Sequence, residues 1–492
     1  YQTKIKKKHN LDLLAGYEIN SKESDGLGTT ISNFARWDKP EVNNGVVYQS
    51  MGGSNSTTRI VSYITRANYD YDNKYYLGAS WRTDGSSRLA RENRWGNFWS
   101  LSGAWRVSSE SFMKPLQNWL SDLKLRVSYG VNGTLPSSYY GYMGLSSLTS
   151  NYNDNPGITQ SQLENKELTW ETNYNFNSGI DLGFFDNRLN VTFEYYVRTT
   201  KNLLYSRPLS LATGFSSYLA NIGKLQNKGY ELEIRSTNIE TKDFRWSTSL
   251  NLGHNANKIL KLDGDLKQVT SGTSIHKVGL PYSTYYMIEF AGIDPADGEP
   301  MFYKNTTDEN GNLNKETTKD PRSAEKVILQ CADPTITGGL GNSISYKWFD
   351  LNFNVNFSFG AWNYDGSASK LEHGGDGTLN IPIYYRKRWQ KEGDETSIER
   401  FVVGRSISMT DYATTRRLYS GDYVRLKNLT FGFTLPKTWT RKVGIDNIRL
   451  YASGNNLLTW AAYDYIDPES GSSPSWDTPP MRTYTFGLEV KF

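Results

Sequence analysis

Few residues in this chain are placed to do chemistry. Asp294-Pro-Ala-Asp297-Gly298-Glu299 sets three carboxylates near a turn, and Asp308-Glu309-Asn310-Gly311 adds two more. Hard oxygen ligands at such spacing could hold Ca²⁺, with Asp294, Asp297 and Glu299 as the candidate ligands. Neither run has the full EF-hand spacing, and Asp-Gly and Asn-Gly are common turn signals, so a turn is the preferred reading. Glu231 and Glu233 share one strand face beside Arg235. Such a pair could work as general acid and base; wall charges paired with their neighbours are the simpler account. Gly338-Gly339-Leu340-Gly341 resembles a phosphate loop, but no Lys-Ser/Thr follows and the setting is a strand. One cysteine, Cys331, excludes an intramolecular disulfide framework and a Cys-based zinc site. The four histidines (His9, His254, His276, His373) are not paired at ligand spacing. With no nucleophile–base pair and no metal cluster, no catalytic residue is assigned, and an enzyme is the weakest class.

The elements that carry these residues are strands. The chain has 492 residues and is 14% aromatic. Its 55 basic and 51 acidic residues nearly cancel, which argues against a nucleic-acid partner. Mean hydropathy is −0.62, and no apolar run reaches the roughly 18 residues of a membrane-crossing helix. A transmembrane β-strand needs only about 10 alternating residues. About fourteen alternating segments are visible. In the most regular, Phe349, Leu351, Phe353, Val355, Phe357 and Phe359 alternate with Asp350, Asn352, Asn354, Asn356 and Ser358. Segments 189–198 and 244–253 repeat the pattern. The others are 4–19, 60–71, 74–84, 97–107, 121–132, 168–182, 226–236, 333–345, 421–435, 445–458 and 481–492. The apolar parity changes near Lys427–Asn428, which predicts a β-bulge.

Long and short connections alternate. The long ones are 20–59, 133–167, 199–225, 255–332, 360–420 and 459–480, with a loop of about a dozen residues at 85–96. Tight turns are expected at Asp72–Asn73 and Tyr346–Lys347, and a short helix in the 108–120 link. This predicts an all-β fold, an antiparallel transmembrane β-barrel with short periplasmic turns and long extracellular loops. The last strand then descends to the periplasm. It carries Tyr484, Phe486, Leu488, Val490 and Phe492 on one face and stops on an aromatic residue. Tyr484, Phe486 and Phe492 are the expected signal for the barrel assembly machinery. The basic run Lys4, Lys6, Lys7 and Lys8 reads as a solvated strand start or as a contact with anionic head groups. The loop aromatics Tyr139, Tyr140, Tyr142, Trp362, Tyr364, Tyr384, Tyr385, Trp389 and Trp476 would pack the loops, stack on sugars or grip a partner.

Several stretches resemble the SusC family of TonB-dependent outer-membrane transporters. The most specific is 74–107, with R-T-D-G-S-S-R-L at 82–89, where Leu89 replaces the family's usual Phe. E-L-T-W-E-T at 167–172, N-K-G-Y-E-L-E at 227–233 and F-A-G-I-D-P-A-D-G-E-P-M-F-Y at 290–303 follow in family order. So do 421–436 and 449–460. The resemblance implies import of oligomeric nutrients, glycan or peptide, across the outer membrane of a Gram-negative bacterium. It also implies a SusD-like lipoprotein at the extracellular loops and energy from TonB through a plug. Family barrels have 22 strands. This chain is therefore expected to be the C-terminal portion of a barrel whose N-terminal strands and plug lie outside it, broken at a periplasmic turn before Lys4. Tyr1 is not a natural start, so a removed or unnumbered N-terminus is expected. A complete 14-stranded channel is the other reading, and an assembly or scaffold subunit of a larger outer-membrane complex is the alternative function.

Overall fold

The computed structural model describes residues 1–492 apart from 149–150, 154, 263, 265, 309–310, 376–378, 405–411, 464 and 471–477, and apart from the side chains of 369 and 443. Fifteen strands pair in chain order as one meandering sheet. They are β1 (Gln2–Ile5), β2 (His9–Phe34), β3 (Gly45–Tyr71), β4 (Tyr75–Ser86), β5 (Trp95–Arg106), β6 (Leu120–Thr134), β7 (Glu171–Phe184) and β8 (Leu189–Lys201). There follow β9 (Lys224–Glu240), β10 (Phe244–Lys261), β11 (Ile336–Tyr346), β12 (Phe349–Phe359), β13 (Tyr423–Thr434), β14 (Asn447–Ala461) and β15 (Thr483–Lys491). The order runs from β1 to β15, with each strand beside the next in the chain.

Two expectations are corrected. The segment 4–19 is not one strand. Lys6 and Lys7 adopt positive φ (+49° and +61°), and Gln2–Ile5 folds back on His9–Asp12. The basic run therefore lies at a turn, where exposed lysines cost no pairing, and the turn expected before Lys4 falls here. Nor is 20–59 an open loop. β2 and β3 stay paired from Asn20–Ile60 out to Phe34–Gly45, well past the end of β4, whose Ser86 pairs with Ile60. Polar residues such as Ser21, Lys22, Glu23 and Asp25 hid this extension, because backbone pairing does not require an apolar face. The short helix expected in the 108–120 link is present as two 3₁₀ turns, Val107–Ser109 and Ser111–Leu116. Pro115, inside the second, cannot donate to a longer helical ladder.

The alternation holds across the sheet. One lateral row reads Trp246, Ile344, Leu351, Phe431, Ala452, Phe486 from β10 to β15. The adjacent row, on the opposite face, reads Ser247, Ser343, Asn352, Thr430, Ser453, Thr485. Phe486 is 83% exposed on the apolar face. Hydrocarbon supplies no hydrogen bonds, so the ladder must satisfy the backbone while the apolar parity meets lipid. Aromatic residues gather at strand ends. Tyr71, Tyr75 and Trp105 stack in succession across β3, β4 and β5 with centroids 6.4 Å apart at each step, as an interfacial girdle does. The expected bulge is present: β13 slips register between Leu426 and Asn428. On the polar face Asp350, Gly432, Tyr451 and Gly487 form a row. The Tyr451 ring lies where a Cβ on Gly487 would stand, and Arg449 reaches across Gly432 to Asp350 at 2.7 Å.

The chain divides into two compact units. The first comprises Tyr1–Ser109, Arg126–Ser178 and Arg198–Leu225. Its outer loops close over a core of Leu89, Phe98, Leu168 and Trp170, and the Trp170 indole donates to the Arg94 carbonyl at 3.0 Å. The second comprises Glu110–Leu125, Gly179–Val197 and Gln226–Phe492. Its loops 255–332 and 360–420 hold small sheets of their own, including Thr284–Ile288 with Lys326–Cys331 and Trp362–Tyr364 with Leu418–Ser420. Tyr285, Met287 and Tyr364 form the core between them.

Buried charges fix the 360–420 loop. Glu399 is fully buried and pairs with Arg416. Glu372 contacts Arg416 at 3.5 Å and Arg417 at 3.3 Å. Tyr385 donates to Glu399 at 2.9 Å and Tyr384 to Glu372 at 2.5 Å. Burial alone would raise the Glu399 carboxyl, but Arg416 and the hydrogen bonds outweigh it and hold the group below its ordinary value. A depressed carboxylate contributes stability above its unfolded pKa and loses it as pH falls through the folded value. Glu399→Gln should therefore flatten the acid side of the loop's stability profile, read as protease cleavage within 360–420 against pH. Arg416→Met, which strands Glu399, should cost about 3–5 kcal/mol and open the same loop at neutral pH. On the wall, Phe431→Lys should cost about 2–4 kcal/mol and deplete the heat-modifiable folded band in gel electrophoresis of membranes. The neighbouring Thr430→Lys, on the polar face, should be tolerated.

Candidate functional site in the polar wall and outer loops

The polar face of β8 to β13 carries the carboxylates singled out in the sequence. Glu231 and Glu233 line a concavity of 730 Å³ with Thr192, Glu194, Asn251, Asn356, Ser358 and Tyr423. Arg235 pairs with Glu233 at 2.5 Å, which favours the wall-charge reading. Gly338 and Gly339 line the same hollow. A Cβ on Gly338 would lie 2.5 Å from both the Asn251 carbonyl and the Phe357 ring, so the glycines serve close strand packing. Further along the strands, a 320 Å³ hollow is lined by Arg188, Arg235, Ser247, Ser249, Asn352 and Asn354, among others. Amides, hydroxyls and paired charges make this face a surface that wets and exchanges hydrogen bonds.

The candidate calcium ligands serve a turn. Lys319 reaches Asp294 at 2.6 Å and Asp297 at 2.8 Å. Arg400 pairs with Glu299 at 2.6 Å. The Lys319 hydrogen bonds hold both aspartates below the usual carboxylate range. The Asp294 side chain accepts from the Ala296 N–H at 2.9 Å, and Gly298 takes φ +71° to close the turn. In the second run Asp308 accepts from the Asn312 N–H at 2.8 Å, while Glu309 and Asn310 lie outside the described residues. Among the described residues no group of three or more His, Cys, Asp or Glu side chains is arranged to hold a metal ion. Burial pushes the Cys331 thiol up, away from nucleophilic use.

The loop aromatics mostly pack. Tyr385 is 1% exposed, and Tyr142 covers the Leu89–Trp170 core. Tyr140 accepts the Thr57 N–H at 2.9 Å, Arg88 lies over the Tyr139 ring at 4.3 Å, and Trp389 donates to the Pro295 carbonyl at 2.9 Å. Trp476 lies outside the described residues. Arg425 was not foreseen as a site residue. It sits at the outer end of β13 on the polar parity, 2% exposed, and holds Asp467 at 2.6 Å and Glu469 at 2.7 Å. This ion pair draws the start of loop 459–480 over the polar face. Tyr463 and Tyr465 come with it. Tyr463 stacks on Tyr419 at 3.8 Å and donates to buried Asp365 at 3.0 Å. Tyr465 meets Tyr463 at 5.3 Å and Tyr384 at 5.4 Å. The one signal in the sequence was the Tyr463-Asp-Tyr465 repeat beside acidic Asp467 and Glu469.

Comparison with known proteins agrees with this architecture. Residues 2–457 match the family model described as TonB dependent receptor-like, beta-barrel. TonB-dependent receptor P3 of Formosa agariphila is 33% identical over 98% of this chain and 51% of its own length. TonB-dependent receptor SusC of Bacteroides thetaiotaomicron is 30% identical over 88% of this chain and 44% of its own. Among solved structures, the RagAB peptide transporter superposes with a TM-score of 0.86 at 29% identity, covering all of this chain and 54% of that one. The chain thus spans about half the length of the curated relatives it matches. Lipid-facing parity, aromatic girdle, polar wall and family match agree: this chain belongs to the TonB-dependent receptor β-barrel family, in its SusC-like branch, and is an outer-membrane barrel chain of a Gram-negative bacterium.

Proposed function

We propose that this chain supplies wall and outer loops to a SusC-like importer of oligomeric nutrients, glycan or peptide. In this reading a SusD-like lipoprotein closes over the extracellular loops, and TonB works through a plug inside the lumen. The observation that carries the proposal is the contrast between the two parts of the chain. The inner wall is a wet, amide- and hydroxyl-rich surface, suited to passage and not to tight capture. The loops above it are held by buried ion pairs, as a docking platform for a partner must be. The likeness to the RagAB peptide transporter over the whole chain supports a peptide as one class of cargo, and the likeness to SusC supports the family reading. Tyr484 and Phe486 on β15, and Phe492 just beyond it, are proposed as the signal read during barrel assembly; their exposure of 66%, 83% and 89% supports it.

The test uses the whole protein in its own membrane. Cells lacking it should lose growth on one class of oligomer as sole nutrient, and loss of TonB should have the same effect. Affinity purification from the intact outer membrane should bring down a surface lipoprotein. Normal growth on every oligomer tested, together with a barrel that purifies without a lipoprotein, would sink the importer reading and favour a scaffold. Removal of Phe492 should lower the folded barrel in the outer membrane several-fold while leaving synthesis unchanged, as measured by pulse-labelling and heat-modifiability.

A further inference from the structure

Two links at the periplasmic ends of the strands expose residues that the wall itself does not use. The first joins β5 to β6. Its 3₁₀ segment Ser111–Leu116 is rooted by buried Met113, while Phe112 is 62% exposed and Leu116 is exposed beside it. The turn runs on into Trp119, whose N–H donates to the Leu116 carbonyl at 3.1 Å. Trp119 stacks on Phe184 at 6.0 Å, and its carbonyl accepts the Phe185 N–H at 2.9 Å, so the link is tied to the end of β7. Trp119 also shares the parity of exposed Leu125 on β6, the parity that meets lipid. The second link joins β13 to β14. Buried Thr440 roots it and donates to the Asp446 carbonyl at 3.4 Å. Trp439 is 60% exposed there, with exposed Arg441 and Lys442 just beyond it. Asp446, the one acid between Pro436 and Asn447, pairs with Lys437 at 3.3 Å.

We propose that these two links are feet seated on the inner leaflet of the outer membrane. Phe112, Leu116 and Trp439 enter the boundary between headgroups and acyl chains, and Arg441 and Lys442 meet the phosphates of anionic phospholipid. The proposal goes beyond the importer reading and holds whether or not that reading does. Continuity carries the first foot. Trp119 and Phe184 already belong to the lipid-facing girdle, and a 3₁₀ segment of six residues rises only about 12 Å. Phe112 and Leu116 are therefore held near a rim where lipid is already present, and a protein partner would first have to displace it. Charge carries the second foot. An indole favours a boundary that is wet on one side and apolar on the other, and cations beside it gain on an anionic surface. Both feet are rooted by buried residues, so little conformational freedom is lost when they seat.

The test places a photo-crosslinking residue, p-benzoylphenylalanine, at Phe112 or at Trp439 of the full-length protein. The protein is reconstituted in vesicles of phosphatidylethanolamine and phosphatidylglycerol, irradiated, and read by mass spectrometry. Adducts of phospholipid mass are expected at both positions, and none when the probe replaces exposed Trp37, in the outer connection between β2 and β3. With the probe at Trp439, Arg441→Gln and Lys442→Gln should each lower the ratio of phosphatidylglycerol to phosphatidylethanolamine adducts about fivefold, while leaving the ratio at Phe112 unchanged. If the protein probed at Phe112 fails to give the heat-modifiable folded band, Leu116 takes the probe instead. Absence of phospholipid adducts at either foot overturns the proposal, and an adduct ratio at Trp439 that neither charge change moves overturns the phosphate contact. Irradiation of intact outer membranes tests the other occupant: adducts of protein mass at the feet, in place of phospholipid, assign this rim to a periplasmic partner and overturn the proposal as well.

Discussion

The wall that carries the rest of this chain depends on one constraint: backbone N–H and C=O groups inside a bilayer find no water. The sheet must then satisfy its own ladder, and each strand must sort its side chains between lipid and lumen. The paired rows headed by Trp246 and Ser247 show the outcome across six strands. In the lipid-side row the residues are apolar, all large except Ala452, while those of the wall-side row are small amides and hydroxyls. The same constraint explains why glycine recurs on the wall side, where close strand approach and curvature leave no room for a Cβ.

Outside the membrane the constraint lapses and a different economy takes over. The loops are long and polar, and they cannot rely on lipid to organise them. They use small local sheets, modest apolar cores and buried ion pairs. Glu399 with Arg416, and Arg425 with Asp467 and Glu469, are the joints. Such pairs gain little over an apolar core of equal volume, but they tolerate only one arrangement of the chain. That suits a surface whose shape matters to a partner or a cargo.

This division also explains what could be read in advance. The wall was legible because its code is local: period-two alternation located fourteen of the fifteen strands, and a parity change at Lys427–Asn428 revealed a bulge. The hairpin extension 20–59 was not legible, because Ser21 to Asp25 carry no apolar alternation and the backbone ladder that pairs them needs none. The split of the first strand at Lys6 was missed because the lysine run gave no turn signal of the Asp-Gly or Asn-Gly kind. The loop joints were hidden for another reason. Asp467 lies 42 residues from Arg425, and nothing local marks either as the other's partner. The family motif at 421–436 contains Arg425, but no motif contains Asp467 or Glu469.

The Tyr451 ring lying over Gly487 has a consequence for assembly. A strand that slips by one residue exchanges its faces, and β15 would then place Phe486 or Leu488 beneath that ring. Either side chain would push the ring off the sheet. The observed alignment of β15 lets the tyrosine lie flat and a one-residue slip does not, so the polar face checks the register of β15 on β14. The β14–β15 pair thus carries its own gauge of correct register on the side turned away from lipid.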